Sequence, residues 1–258
     1  MFTLHNGDCL AYLATLPAAS VDAVITDPPY FLPATHYNTR SRSARSLSDL
    51  SMLEHFYRDL FKELARVTKP SGVWYVFCDG QSYPAFYVSA YPHVKALRPL
   101  IWDKVVSFNG YTWRHQHEII MFAELPEAKP IPTGDGDILR NRAVPVNDRE
   151  HLAEKPVDLI AQLVKKCGQV ILDPFAGSGS TGKAVLKEGK EFIGCEIDDR
   201  YYRLAQSGLE SIEPFTPSNN RLHMDAGDSP RQPSQSTLEG FTTAEQGHKP
   251  APHHSLNL

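Results

Sequence analysis

The chain has 258 residues, of which 41% are hydrophobic and 22% charged. These proportions are typical of a globular protein, and the length allows one sizeable α/β domain with an insert. No stretch approaches the roughly 18 apolar residues of a membrane span. The formal net charge is −4, so any contact with nucleic-acid phosphates must come from local basic clusters.

The cysteines and the N-terminal residues bear on location. Cys9, Cys78, Cys167 and Cys195 are widely scattered and show no metal-ligand spacing, which predicts reduced thiols and no metal site. The first residues lack the basic and apolar regions of a signal peptide. We therefore predict a cytoplasmic protein without a membrane partner.

In chain order, strand-like and helix-like segments alternate, which predicts a doubly wound α/β sheet. The predicted strands span residues 2–5, 21–26, 73–78, 99–104, 118–123, 170–172 and 191–197. The predicted helices span residues 9–16, 51–68, 180–188 and 198–212, with one more that begins at 154.

Three segments interrupt this alternation. Residues 31–51 form a long polar loop, which is typical of a lid or binding loop. Prolines and glycines in residues 124–150 break any regular element, so an irregular insert is predicted between the two parts of one domain, 1–123 and 151–213. Apolar periodicity vanishes in residues 214–258, which predicts a disordered tail.

The segment Asp27-Pro28-Pro29-Tyr30 directly follows a buried strand, at the position where open α/β sheets bind ligands. The group suits chemistry on the exocyclic amine of a base, whose lone pair is delocalised into the ring. The Asp27 carboxylate and the Pro28 carbonyl supply two acceptors that would draw this lone pair out of conjugation, and Tyr30 would stack on the base. The alternative is a turn stiffened by prolines, with a surface tyrosine.

A second motif, Asp173–Gly182, follows another strand and opens a helix. Its glycines let a ligand approach the backbone closely, and helix-start amides can meet negative charge. Glu196 ends the next strand, where an acid typically binds ribose hydroxyls. Residues 177–183 also match the start of a phosphate-binding loop. However, Ala184 replaces the magnesium-binding Ser or Thr, so an ATP-dependent phosphotransferase is disfavoured.

Taken together, residues 3–212 resemble the beta order of amino-group DNA methyltransferases that use S-adenosylmethionine (SAM), in which the catalytic motif precedes the glycine motif. Four further segments carry the resemblance, namely Gly7-Asp8, residues 101–104, residues 114–118 and the His-x-x-x-Lys-Pro pattern of residues 151–156. The resemblance implies a Rossmann-like, circularly permuted sheet that is mostly parallel with one antiparallel strand. It makes 1–123 and 151–213 the catalytic and SAM-binding domain, and 124–150 a short target-recognition insert.

The resemblance also implies roles for single residues. The catalytic set is Asp27, Pro28, Pro29 and Tyr30. The cofactor-binding set is Asp8, Lys155, Asp173, Phe175, Ala176, Gly177, Ser178, Gly179 and Glu196. The predicted DNA-binding set, chosen as local basic groups, is Arg40, Arg42, Arg45, Lys104, Arg114, Arg140 and Arg142.

The predicted activity is transfer of the SAM methyl group to adenine N6 in duplex DNA, with the target base flipped out. The alternative base is cytosine, at N4, and the alternative of another class is a DNA-binding subunit without catalysis. The insert offers few base-reading groups, so specificity is weak, or else a second subunit of a homodimer or the 31–51 loop contributes. The sequence does not indicate whether a restriction enzyme accompanies it.

Overall fold

A computed structural model describes residues 1–29, 50–106, 112–129, 134–145 and 154–212, and side chains from 54 onward in the helix that begins at residue 50. These residues belong to one compact unit, Met1–Asn219. Several predicted features lie outside the described residues, namely Tyr30, the arginines Arg40, Arg42 and Arg45, the His151 end of the Lys-Pro motif and the 214–258 tail.

Eight strands form one sheet in the order β1-β8-β7-β2-β3-β5-β4-β6. Their bounds are β1 Phe2–Asn6, β2 Val21–Thr26, β3 Thr68–Cys78, β4 Ala96–Asp103, β5 His117–Glu124, β6 Ile138–Arg140, β7 Val170–Asp173 and β8 Glu191–Glu196. Of these strands only β5 runs antiparallel to its neighbours, β3 and β4. The predicted α/β fold, a mostly parallel sheet with one antiparallel strand in permuted order, is confirmed.

Six α-helices connect the strands. They are α1 Cys9–Thr15, α2 Leu50–Val67, α3 Tyr83–Ala90, α4 Val157–Val164, α5 Ser180–Lys187 and α6 Asp199–Glu210, and a 3₁₀ turn, Tyr91–His93, follows α3. Among the described helices none is long and apolar enough to cross a membrane.

The core has two layers because side chains alternate across the central strands. On β3, Trp74 and Val76 pack with α1, α2 and α3, whereas Tyr75 and Phe77 pack with α4, α5 and α6. Each central strand is therefore buried on both faces, which explains why the sequence shows continuous apolar runs there rather than alternation.

Three elements differ from the sequence-based expectation. The prediction that 124–150 holds no regular element is wrong, because β6 pairs with β4 from Ile101↔Ile138 to Asp103↔Arg140. Strand β3 begins at Thr68 rather than at 73, through an irregularity in its pairing with β2. Helix α3 was not predicted, since it is apolar on all sides and has a proline in its first turn, where proline is tolerated.

Candidate active site

The site lies along the edge of the sheet at which the parallel strands end. Strands β1, β8, β7 and β2 bring their last residues to this edge, and Asp27 continues directly from β2. Because β5 is antiparallel, it brings its first residues there, with His117 opposite Asp103 and Ile119 opposite Cys78. This edge of an open α/β sheet is where ligands bind.

Asp27 is held by a lysine from a distant part of the chain. Lys155 Nζ lies 2.5 Å from Asp27 Oδ2 and 3.3 Å from Glu118 Oε2. The Lys155 side chain is only 8% exposed, and its ammonium lies 5.2 Å from the centre of the Phe77 ring. The lysine assigned to the cofactor by resemblance is therefore in direct contact with the carboxylate of the predicted catalytic motif.

The network continues through Glu118. Lys104 Nζ lies 2.6 Å from Glu118 Oε1 and 5.1 Å from the centre of the Trp102 ring. Lys104, Glu118, Lys155 and Asp27 thus form a series of alternating charges, called here the charge chain. Lys104 is predicted to contact DNA, but its side chain is only 15% exposed and the structure pairs it inside the protein.

The pKa values within the charge chain follow from this geometry. Burial on its own lowers the pKa of Lys155, but the Asp27 and Glu118 carboxylates outweigh it and leave that pKa raised. Burial raises the pKa of Glu118, but the ammonium groups of Lys155 and Lys104 outweigh it and leave that pKa lowered. Both side chains are therefore ionised at neutral pH.

A second contact fixes the backbone just after Asp27. The hydroxyl of Tyr57, on α2, donates a 2.6 Å hydrogen bond to the Pro29 carbonyl. Tyr57 is fully buried, and burial is the main cause that raises its pKa. Its neighbour Phe56 contacts Phe175 edge-on, with ring centres 6.2 Å apart. Helix α2 therefore touches both predicted motifs, and sequence reasoning assigned neither residue to the site.

Asp173, at the end of β7, joins the two motifs. Its Oδ1 accepts hydrogen bonds from the Thr26 hydroxyl at 2.7 Å and from the Phe175 amide at 3.0 Å. Asp173 is buried, and this burial raises its pKa to about 6. Its side chain supports the loop that follows it, and it also ties that loop to the residue before Asp27.

Residues 174–179, called here the glycine loop, require glycine at two positions. Gly177 and Gly179 have φ values of 53° and 84°, which disfavour other residues. A Cβ at Gly179 would also lie 3.1 Å from the Cβ of Ala205 on α6. Beyond the loop, Ser180 begins α5, and its buried hydroxyl has no hydrogen-bond partner among the described residues.

Glu196 closes the glycine loop. Its two carboxylate oxygens accept from the amide of Gly177 at 2.8 Å and from that of Asp198 at 2.9 Å. Asp8 serves as the N-cap of α1, where it accepts from the Ala11 amide at 2.9 Å. The next residue after Glu196, Ile197, is 54% exposed, and sequence reasoning missed this apolar group at the site.

These features fit an adenosine-containing cofactor. The glycine loop leaves its backbone open to close approach, Glu196 retains lone pairs for ribose hydroxyls, and Ile197 offers an apolar surface. They do not fit a phosphate-binding loop, because Lys183 lies within α5 with its side chain against Gly208 of α6. No cluster of His, Cys, Asp or Glu suited to a metal ion occurs in the described ranges.

Basic side chains gather where β4 and β6 end. Arg114, Arg140 and Arg142 are exposed there, and Arg140 Nε lies 3.6 Å from Asp103 Oδ2. Trp113 is 86% exposed beside Arg114. This group, Trp113, Arg114, Arg140 and Arg142, is called here the β4 corner, and sequence reasoning did not include Trp113 in it.

Comparison with known proteins agrees with this geometry. The sequence model of the DNA methylase family, which covers the N6 and N4 amino methylases, matches residues 21–207, well over half of the chain. The chain therefore belongs to this family. It is a DNA methyltransferase of the N6/N4 class, and the methyl donor of such enzymes is SAM.

Individual relatives are more distant. The chain is 29% identical over 219 residues to the putative methylase YubD of Escherichia coli K12, covering 81% of this chain and 90% of YubD. It is 25% identical over 248 residues to the type II methyltransferase M.HinfI of Haemophilus influenzae, covering 82% and 69% respectively.

Solved structures confirm the fold. A DNA modification methylase from Thermus thermophilus, in complex with SAM, superposes with a TM-score of 0.64 at 22% identity, over 81% of this chain and 93% of that one. The cytosine-N4-specific PvuII DNA methyltransferase superposes with a TM-score of 0.65 at 14% identity, over 82% and 88%.

Proposed function

We propose that this enzyme transfers a methyl group from SAM to N6 of adenine in duplex DNA, after the base has flipped out of the helix. The observation that carries the proposal is the position of Asp27. It follows Thr26, whose hydroxyl bonds to Asp173 at the start of the glycine loop. A target amine at Asp27 would therefore lie next to the cofactor.

The cofactor would be held by groups on both sides of the glycine loop. We assign the backbone of Phe175, Ala176, Gly177, Ser178 and Gly179 to close approach, and Glu196 to the ribose hydroxyls. Ile197 would contact the adenine ring of SAM, as would Asp8 if its capping bond leaves an oxygen for it. Ser180 would supply its buried hydroxyl. When bound, SAM supplies an electrophilic methyl group.

The chain's own residues prepare the target amine. The Asp27 carboxylate and the Pro28 carbonyl would each accept one amine hydrogen, which directs the nitrogen lone pair out of the ring. Pro28 is buried, so its carbonyl is held by the surrounding structure. Tyr30 would stack on the base, a contact worth about 1–3 kcal/mol.

The DNA would pass over the β4 corner. Arg114, Arg140 and Arg142 are suited to phosphates, which make up most protein contacts to DNA. Residues 124–150 would be a short recognition insert within one catalytic domain formed by 1–123 and 151–213. With few base-reading side chains in this insert, we propose weak specificity, and Arg40, Arg42 and Arg45 would add phosphate contacts.

Adenine is preferred over cytosine because Asp occupies the first position of the motif, a preference that rests on the resemblance. Both bases present a similar amidine-like edge, so the experiment must report the base directly. Unmethylated plasmid DNA is incubated with enzyme and SAM, digested to nucleosides and analysed by mass spectrometry. The expected product is N6-methyldeoxyadenosine.

Asp27→Ala is expected to lower the methylation rate at least about a thousandfold and to leave SAM affinity within about twofold, since Asp27 faces the base rather than the cofactor. Asp59→Ala, on the exposed face of α2, is the matched control and should retain full activity. N4-methyldeoxycytidine as the product would move the activity to cytosine. A wild-type protein that binds DNA without methylating it would contradict the enzyme assignment.

A further inference from the structure

Lys155 is a buried cation placed between two carboxylates at the active edge of the sheet. We propose that Lys155 is a positioning residue for Asp27, and that Glu118, itself held by Lys104, offsets the lysine's charge beside the methyl-transfer site. This proposal rests on the proposed methyl transfer. It gives Lys155 a role different from the cofactor contact that its sequence motif implies.

Stability does not account for a buried ammonium at this position. Desolvation of an ion pair costs about as much as the pair gains, so an apolar residue of similar volume would stabilise the fold equally well. Phe77, Trp102 and the rest of the second core layer already surround the site with apolar groups. The presence of Lys155 and Glu118 there therefore points to the chemistry of Asp27.

Asp27 needs a fixed orientation in order to accept a hydrogen from the target amine. The 2.5 Å contact between Lys155 Nζ and Asp27 Oδ2 anchors one oxygen of the carboxylate. An ionised carboxylate has about four lone-pair sites, so it can accept from the lysine and from the amine at the same time. Lys155 also favours the ionised carboxylate, the form that acts only as an acceptor.

The remaining charges of the chain have their own purpose. A lone ammonium beside the reacting centre would repel the positively charged sulfonium of SAM. Glu118 Oε2 lies 3.3 Å from Lys155, and Lys104 pairs with the other oxygen, Oε1, at 2.6 Å. With two cations and two anions, the charge chain is neutral in sum. Asp27 is therefore anchored without adding net positive charge to the site.

The pH dependence of catalysis should report these charges. The titratable and charged groups that surround Asp27 in the described ranges are Lys155 before α4, Glu118 on β5, Lys104 after β4, Asp173 on β7 and Cys78 on β3. Removal of a cation from this set favours protonation of Asp27, and removal of an anion disfavours it. Two neutralising variants should therefore shift the acidic limb of the pH–rate profile in opposite directions.

The experiment measures single-turnover methylation against pH for Lys155→Met and Glu118→Gln, with Lys165→Met as the matched control. Lys165 lies just after α4 and forms an exposed pair with Glu188 at 3.7 Å. Lys155→Met should lower the rate at neutral pH about tenfold and move the acidic limb up by about one pH unit. Glu118→Gln should move that limb down, and both should retain SAM affinity within about twofold by calorimetry.

Three results would overturn the proposal. The first is an unmoved acidic limb in both folded variants. The second is a shift in the same direction for both, and the third is a tenfold loss of SAM affinity in Lys155→Met, which would place the lysine on the cofactor. If Lys155→Met does not fold, the downward shift in Glu118→Gln remains a sufficient test, and its absence overturns the proposal.

A readout without substrate separates this proposal from the proposed function. In a double-mutant cycle, Asp27→Asn and Lys155→Met should lower the melting temperature together by less than the sum of their separate effects, because each removes the same contact. Additive effects would overturn the pairing. A wild-type protein that methylates neither base would overturn the proposed function but leave this cycle as a test of the charge chain.

Discussion

The glycine loop and the segment after β2 lie side by side, but they are held in different ways. The glycine loop is fixed by its own backbone, through left-handed glycines and an amide bond from Gly177 to Glu196, 19 residues away. Asp27 is fixed by side chains from elsewhere, namely Lys155, which is 128 residues away, and Tyr57, which holds Pro29. Cofactor binding therefore depends on local geometry, whereas base handling depends on the assembled fold.

The largest effect is expected at Asp173, where the two regions meet. Its pKa in the folded protein is about 6, against 3.8 as the ordinary value. Because the folded state binds this proton more tightly, its contribution to stability is present below about pH 4 and is lost as pH rises through 6. Chemical denaturation of Asp173→Asn across this range should show the difference, about 3 kcal/mol in free energy of unfolding relative to wild type.

Asp22→Asn is the control for this measurement and should behave in the opposite way. Burial raises the pKa of Asp22, but Lys69 and two backbone amides outweigh it and leave that pKa lowered, so its contribution is lost as pH falls. Parallel stability curves for Asp173→Asn and wild type would show that the carboxylate of Asp173 is ionised without cost in the folded protein.

The next effect concerns the cofactor alone. Glu196→Ala removes the acceptor for the Gly177 amide and for the ribose hydroxyls, so SAM affinity should fall about tenfold, or about 1.4 kcal/mol, by calorimetry. Glu191→Ala, at the exposed far end of β8, should leave affinity unchanged. Equal SAM affinity in both variants would place the ribose away from Glu196.

A smaller effect is expected on the base side. Tyr57→Phe removes only the hydroxyl that donates to Pro29, a hydrogen bond worth about 1 kcal/mol, so the methylation rate should fall about fivefold. SAM affinity should not change. The exposed Tyr91 provides a control, and Tyr91→Phe should match wild type in single-turnover kinetics. A loss of SAM affinity in Tyr57→Phe would instead link α2 to the glycine loop, through Phe56 and Phe175.

The smallest effect separates DNA contact from both loops. Arg114→Gln, in the β4 corner, should reduce the salt slope of DNA binding by about one unit and weaken binding similarly on different sequences. Arg98→Gln tests the opposite end of β4, where Arg98 lies 3.5 Å from Glu124, and should leave the slope unchanged. Equal slopes for Arg114→Gln and wild type would remove the β4 corner from the DNA-binding surface.

The difference between the two regions also explains what the sequence could predict. The glycine loop, Glu196 and the strands around them follow from local patterns, such as glycine spacing after an apolar run. The charge chain does not, because its contact between Glu118 and Lys155 depends on the antiparallel register of β5, which no local pattern specifies. For the same reason Lys104, an isolated basic residue in the sequence, was assigned to DNA rather than to Glu118.

Short or featureless elements were also beyond the sequence. Strand β6 has three residues and forms only because β4 offers it an edge. Tyr57 has the spacing of an ordinary core residue on α2, and only the fold shows that its hydroxyl meets Pro29.

The hairpin formed by β4 and β5 offers an opportunity for engineering. Its base is closed at the active edge by a hydrogen bond from the Lys104 amide to the Gln116 carbonyl, and by Gln116 to the Asp103 side chain. These contacts fix where Glu118 enters the site, whatever the intervening chain contains. A DNA-reading segment grafted between Lys104 and Gln116 should therefore change target choice while the catalytic carboxylate keeps its place.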